Sequence, residues 1–139
     1  MNNRIYWRQD SRSTYLYGTE LEFRGDSVYF KNELMPSGNL IHSWYSRTNY
    51  QRDREQPQLP VLFRNKRYSL HLVADVMPEG TVYLQIDFYN RSDETIQTKI
   101  LRSDEDHFTY PNGAFSYAIH LFNANVTELL FHHIDLSSL

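Results

Sequence analysis

The chain has 139 residues, which is enough for one hydrophobic core and too few for two. Its formal net charge of -3 and its pI near 6.0 argue against nucleic acid as a partner, because phosphate binding needs a clustered basic face. Hydrophobic residues make up 40% and aromatic residues 15%, a balance that is typical of a globular protein rich in β-strands. We therefore expect a single domain over residues 1–139.

No cysteine is present, so disulfide and thiolate chemistry are excluded. The first residues contain no apolar run of signal-peptide length, and no later segment reaches the roughly 20 apolar residues of a membrane span. We therefore expect a cytoplasmic protein without a transmembrane segment. The sequons at residues 90–92 and 125–127 then carry no meaning, because glycosylation at such sites belongs to a secretory route.

The first third of the chain predicts short strands that are separated by turns. Alternating apolar residues mark them in four places: residues 5–7, 15–23, 28–30 and 40–45. Gly18 interrupts the second of these strands and predicts a bulge or a bend. In the fourth strand, the alternation places Ile41, Ser43 and Tyr45 on one face and His42 and Trp44 on the other.

Residues 68–89 show period-2 alternation on both sides of a turn at residues 77–80. Pro78 presets one dihedral of that turn, and Gly80 tolerates a positive φ at its exit. We predict a long antiparallel hairpin with one apolar face. Such a hairpin is marginal in water by itself, so a second sheet has to cover it.

The remaining alternation adds further strands to this hairpin. They are predicted at residues 61–63, 96–100, 107–110, 115–121 and 129–136. About nine short strands with regularly spaced turn signals indicate an all-β protein, an antiparallel β-sandwich of the jelly-roll kind.

A long segment without periodicity, at about residues 46–60, is the best candidate for recognition, because such connections in compact domains are usually functional or mobile. Aromatic and arginine side chains lie in it and next to it: Trp44, Tyr45, Arg47, Tyr50, Arg52 and Arg54. Flat rings beside fixed hydrogen-bond donors suit a sugar or a protein hot spot. The alternative is that Trp44 or Tyr45 belongs to the core and that the arginines are only solvated.

Two clusters resemble metal sites, although we expect neither to bind an ion. His132 and His133, with His120 and Asp135 nearby, contain ligands for zinc or copper, but adjacent strand residues point to opposite faces. The acidic residues 104–107 lack the spacing of an EF-hand and suit a solvated turn. The local signatures of hydrolases, nucleotide enzymes and zinc peptidases are also missing, so we expect no cofactor, no metal and no enzymatic activity.

The end of the chain, residues 108–110 and 129–136, is similar to the last strands of carbohydrate-binding-module jelly rolls. His132 and His133 stand where those modules often carry aspartates. The resemblance implies a carbohydrate-binding-module-like sandwich, and this departure weakens any transfer of a calcium site.

Nearly the whole chain resembles a second family. The segments that carry the likeness are residues 5–7, 14–18, 32–38, 41–44, 49–51 and 56–60. Their order and spacing resemble the third accessory secretory protein of the accessory Sec system of streptococci, staphylococci and lactobacilli.

This resemblance implies a non-enzymatic scaffold or adaptor subunit in a cytoplasmic complex with the first and second accessory secretory proteins. That complex works with a dedicated Sec ATPase to export serine-rich-repeat adhesins, which are glycosylated before translocation. Contact with the adhesin or its N-acetylglucosamine, and peripheral association with the inner face of the membrane through the complex, are further expectations. Two alternatives stay open: an autonomous carbohydrate-binding module that needs no protein partner, and a small sugar-processing enzyme with two carboxylates in a cleft.

Overall fold

The computed structural model describes residues 1–8, 14–47, 57–101 and 106–139, and it shows two antiparallel sheets around a shared core. Its strands are β1 (Asn2–Ile5), β2 (Glu20–Arg24), β3 (Ser27–Lys31), β4 (Leu40–Tyr45), β5 (Arg67–Met77), β6 (Val82–Tyr89), β7 (Thr95–Leu101), β8 (His107–Thr109), β9 (Ser116–Asn123) and β10 (Glu128–Ser138). The six-stranded sheet has the order β2-β3-β10-β5-β8, with β1 also paired to β10, and the four-stranded sheet has the order β4-β9-β6-β7. The predicted all-β antiparallel sandwich is confirmed.

The predicted hairpin over residues 68–89 is wrong, because its two strands belong to different sheets. β5 pairs with β10 and β8, whereas β6 pairs with β9 and β7. The chain crosses between the sheets after Met77, whose carbonyl accepts a hydrogen bond from the Thr127 N–H at 2.9 Å. The alternation does mark the apolar faces correctly: Leu70 and Leu84 are both buried, since the two strands face one core.

Two other predicted strands are corrected. β2 begins only at Glu20, because Gly18 lies in a turn with φ +72°. The buried Asn32 side chain holds this turn, and its amide donates to the Tyr17 carbonyl at 2.8 Å. Residues 61–63 lie outside both sheets, and Val61 is 80% exposed. Within the described residues, no helix is long and apolar enough to cross a membrane.

An aromatic cluster fills the core beside β4. The register of β4 against β9 shifts between Leu40 and His42, so Ile41 departs from the predicted alternation and is buried. Trp44 stacks on Phe131 with a centroid distance of 5.5 Å. Large buried rings of this kind supply much of the hydrophobic stabilisation of a small sandwich.

Candidate functional site

The outer face of the four-stranded sheet carries a polar and aromatic surface, which we call the sheet face. Directly paired residues of antiparallel strands project to the same side. His120 of β9 pairs with Ser43 of β4 and with Gln85 of β6. Ala118, the next outward residue of β9, pairs with Tyr45 of β4 and Asp87 of β6. Three strands therefore bring polar groups that are distant in sequence to one place.

A chain of hydrogen bonds crosses the centre of the sheet face. The Nδ1 atom of His120 lies 2.6 Å from the Ser43 Oγ, and its Nε2 lies 3.1 Å from the Asp87 Oδ2. The Asp87 Oδ1 accepts further hydrogen bonds from Thr98 at 2.7 Å and from Gln85 at 3.2 Å. We assign the proton to Nε2, because the carboxylate can only accept, so Nδ1 accepts from the serine hydroxyl.

Burial lowers the pKa of His120, and Asp87 acts in the opposite direction. The imidazole lies among packed strands, where desolvation disfavours its charged form. Ser43, His120 and Asp87 have the composition of a nucleophilic triad. Ser43 is nonetheless fully buried, so its oxygen has no access to a substrate carbonyl. This arrangement fixes the side chains of the sheet face rather than activating a nucleophile.

Aromatic rings stand on both sides of this polar centre. Tyr45 meets the His120 ring edge-on at 6.3 Å, and Tyr83 stacks on Phe122 at 5.3 Å. Burial, followed by the nearby Asp87 carboxylate, raises the pKa of Tyr89 to about 12. Its hydroxyl therefore stays protonated at neutral pH. The sheet face combines flat apolar rings with neutral and anionic hydrogen-bonding groups.

Two arginines meet at one ring near the end of β4. The guanidinium carbon of Arg47 lies 4.4 Å from the Phe115 ring centroid, and that of Arg91 lies 4.7 Å from it. Cation–π contacts of this kind hold planar donors at fixed positions. Arg47 is thus placed at the edge of the sheet face, beside an arginine that was not among the predicted site residues.

The predicted site residues have different outcomes. Trp44 is 1% exposed, and its indole N–H donates to the Tyr6 carbonyl at 3.0 Å, so it packs in the core and offers no surface to a ligand. Tyr45 lies on the sheet face, and Arg47 lies at its edge. The other three, Tyr50, Arg52 and Arg54, fall outside the described residues. The expectation of a shared site is corrected for Trp44, because a bulky apolar side chain on the inward face of a strand is buried.

Four residues of the sheet face were not predicted as site residues: Tyr83, Gln85, Asp87 and Phe122. The signal was the alternation of β6 and β9, which marks them as outward-facing. Alternation alone does not say that these strands are neighbours, and the strand order is what joins them to Tyr45.

The predicted histidine cluster is divided between the two sheets. His120 lies on the four-stranded sheet, whereas His132 and His133 lie on β10 of the other. A bulge in β10 between Phe131 and His133 puts both neighbouring imidazoles on the outer face, which corrects the expectation of opposite faces. His132 contacts Asp75 and His133 contacts Asp135. Among the described residues, no three potential ligands converge on a metal position.

Comparison with known proteins identifies the family. The family model described as "Accessory Sec secretory system ASP3" matches residues 14–138. The accessory Sec system protein of that description from Staphylococcus aureus is 35% identical over 136 residues, which is 98% of this chain and 43% of that protein. The corresponding protein of Streptococcus gordonii is 40% identical over 127 residues, covering 91% of this chain and 80% of that protein. The chain thus spans less than half the length of the S. aureus relative.

Two solved complexes contain chains of the same fold. One is the crystal structure of accessory secretory proteins 1, 2 and 3 of Streptococcus pneumoniae, where a chain matches with a TM-score of 0.92 and 36% identity over 98% of this chain and 95% of that chain. The other is the glycosylation-associated Gap123 complex of Streptococcus agalactiae, with a TM-score of 0.90 and 39% identity over 100% of this chain and 45% of that chain. The chain belongs to the accessory Sec secretory system ASP3 family.

Proposed function

We propose that the chain is a non-enzymatic scaffold subunit of a complex with the first and second accessory secretory proteins. The observation that carries this proposal is the close similarity of nearly the whole chain to a chain of the S. pneumoniae complex of accessory secretory proteins 1, 2 and 3. In this role the complex supports export of glycosylated serine-rich-repeat adhesins together with a dedicated Sec ATPase. Co-purification with both proteins tests the proposal, and a single species that contains all three proteins is the expected result.

An exposed apolar patch supports a role in assembly. Leu16, Tyr17 and Leu34 are 65%, 79% and 76% exposed. Asn32 joins the two turns that carry them, since its amide donates to the Tyr17 carbonyl and its Oδ1 accepts from the Leu34 N–H at 2.9 Å. Apolar side chains that a buried polar residue holds at the surface are typical of a protein-binding surface.

The same role gives the expected location and organisation of the chain. A subunit that handles adhesins before translocation acts in the cytoplasm, and it reaches the inner face of the membrane peripherally, through the complex. We also propose that residues 1–139 fold as one sandwich domain, which is supported by a core to which both sheets contribute. The buried position of Ser43 supports a binding role over a catalytic one.

We further propose that the sheet face contacts the adhesin through its N-acetylglucosamine. Sugar rings present apolar C–H faces that pack on flat aromatic side chains, and their hydroxyls need fixed donors and acceptors. Tyr45, Tyr83 and Phe122 supply the rings, whereas Gln85 and Asp87 supply hydrogen-bonding groups. The hydrogen bonds to Asp87 hold its carboxylate before a ligand arrives, which lowers the entropic cost of binding.

Replacement of Tyr83 by alanine is expected to weaken binding of an N-acetylglucosamine oligomer by at least about tenfold, because it removes one stacking ring. Isothermal titration of the purified complex measures this effect. Tyr29→Ala is the matched control, since Tyr29 projects from the outer face of the other sheet, where its hydroxyl donates to Glu128 at 2.8 Å. Equal affinities of the two variants would contradict the glycan contact. Tight binding by the isolated chain would favour the autonomous module.

A further inference from the structure

The edge of β5 that faces β8 is paired over only part of its length. β8 pairs with Arg67, Tyr68 and Ser69, and the Leu70 N–H donates to the Asp106 carbonyl at 2.7 Å. Among the described residues, no other strand pairs with this edge. Backbone N–H and C=O groups alternate between the two sides of a strand, so every second residue after Leu70 presents them to the free edge. These residues are Leu72, Ala74 and Val76.

Two other sheet edges carry protection that β5 lacks. β2 is five residues long and alternates charged side chains, namely Glu20, Glu22 and Arg24. β4 is covered by the chain that follows it, since the Gln58 N–H donates to the Tyr45 carbonyl at 3.0 Å. β5 is eleven residues long and contains neither proline nor lysine, the residues that usually block pairing at an edge. A long unprotected edge is a template for an added strand.

An apolar cleft of about 280 Å³ opens beside this edge, between the two sheets. Its apolar walls include Leu72, Ala74, Val76, Val82, Leu84 and Leu101. Several of these side chains are only partly buried against the core. A strand added to β5 would continue the pleat of the sheet, so every second side chain of that strand would enter the cleft. The cleft therefore selects apolar residues at alternate positions.

Carboxylates around the edge select the residues on the opposite face of an added strand. The Asp75 side chain stands on the outer face of β5 and is 76% exposed, although it contacts His132 at 3.1 Å. Asp106 lines one end of the cleft, and the exposed Glu79 follows the other end of β5. Among the described residues that line the cleft there is no lysine or arginine. Complementary charge on the occupant is therefore basic.

We propose that the free edge of β5 binds an extended strand of one of the two partner proteins by β-strand addition. The strand places apolar side chains in the cleft and lysine or arginine at the alternate positions beside Asp75. This inference rests on the proposed function, because it names a contact within that complex. A subunit that binds two different proteins needs two surfaces, and this edge is distinct from the patch of Leu16, Tyr17 and Leu34.

A single introduced thiol tests the proposal, because the chain contains no cysteine. Ala74→Cys places the thiol at the centre of the free edge. Thr95→Cys is the matched control, since Thr95 is exposed on β7 and pairs with Tyr89, at the end of that strand away from the cleft. Labelling of each variant with a maleimide is followed by mass spectrometry, for the chain alone and in the purified complex. In the complex, labelling at position 74 is expected to slow at least about tenfold, and labelling at position 95 is expected to stay unchanged.

Equal rates at the two positions in the assembled complex, whether both fast or both slow, would overturn the proposal. Slow labelling at position 74 in the chain alone, together with a doubled mass, would assign the edge to a second copy and overturn it as well. If the wild-type chain assembles with neither partner, the proposed function fails first. That result is distinct from a complex that forms with the edge still reactive.

Discussion

Replacement of Trp44 by alanine is expected to lower the free energy of unfolding by about 3–5 kcal/mol, the usual cost of removing a large buried ring. The indole is 1% exposed and lies between two other rings of the core, with centroids 5.5 Å from Phe131 and 6.5 Å from Trp7. Its N–H also donates to the Tyr6 carbonyl, which would be left without this donor. Urea denaturation followed by circular dichroism measures the change.

Tyr45→Ala is the control for Trp44, because the two residues are adjacent in sequence and lie on opposite faces of β4. Tyr45 is half-buried on the sheet face, so its truncation is expected to cost far less stability. The two variants therefore separate a core role from a surface role. If both variants lose the same stability, or if Trp44→Ala loses less than Tyr45→Ala, the placement of Trp44 in the core is wrong.

Acid is expected to destabilise the protein steeply between about pH 6 and pH 4, through the buried His42. Burial lowers the pKa of this imidazole to about 3. Its Nδ1 lies 2.6 Å from the Thr14 hydroxyl, which accepts a hydrogen bond from the Trp7 indole at 3.1 Å and therefore donates to the ring. The His42 ring also stacks on Trp7 at 4.5 Å. These contacts suit the neutral form.

The sign follows from proton binding in the two states. Between the ordinary histidine pKa of 6.5, which applies to the unfolded chain, and the folded value of about 3, the unfolded chain carries a proton on His42 and the folded protein does not. Lowering the pH through this window therefore favours unfolding, by on the order of 1 kcal/mol per pH unit. The lowered pKa of His120 acts in the same direction.

Denaturation midpoints measured at several pH values test this expectation, with His42→Asn as the comparison. Asparagine keeps an acceptor for the Thr14 hydroxyl and has no group that titrates in this window. The variant is expected to be less stable at pH 7 and to show a shallower loss of stability in acid. A slope equal to that of the wild type would show that His42 is not held neutral by the fold.

Local patterns in the sequence predict which faces of the strands are apolar, but they do not predict which strands pair. The alternation in β5 and β6 is real, and it misled only about pairing, because two strands on opposite sheets face one core in the same way as two strands of a hairpin. The bulges at Ile41 and at His132 interrupt the alternation, and nothing in their local sequence marks them. Such shifts depend on the register of the neighbouring strand.

The candidate site was predictable only in part for the same reason. Tyr45 and Arg47 follow from composition next to a long loop. Asp87 and His120 are brought to the site by the order β4-β9-β6, which is a property of the whole sheet. Trp44 shows the converse, since a ring suited to binding is equally suited to a core, and only its direction on the strand decides between the two.

Assembly with the two partner proteins tests the proposed scaffold role most directly. The tagged chain is co-expressed with the first and second accessory secretory proteins, purified, and its mass determined by light scattering. A scaffold subunit is expected to yield one monodisperse species that contains all three proteins in fixed proportion. A monomer of 16.7 kDa that elutes free of both proteins would contradict this role.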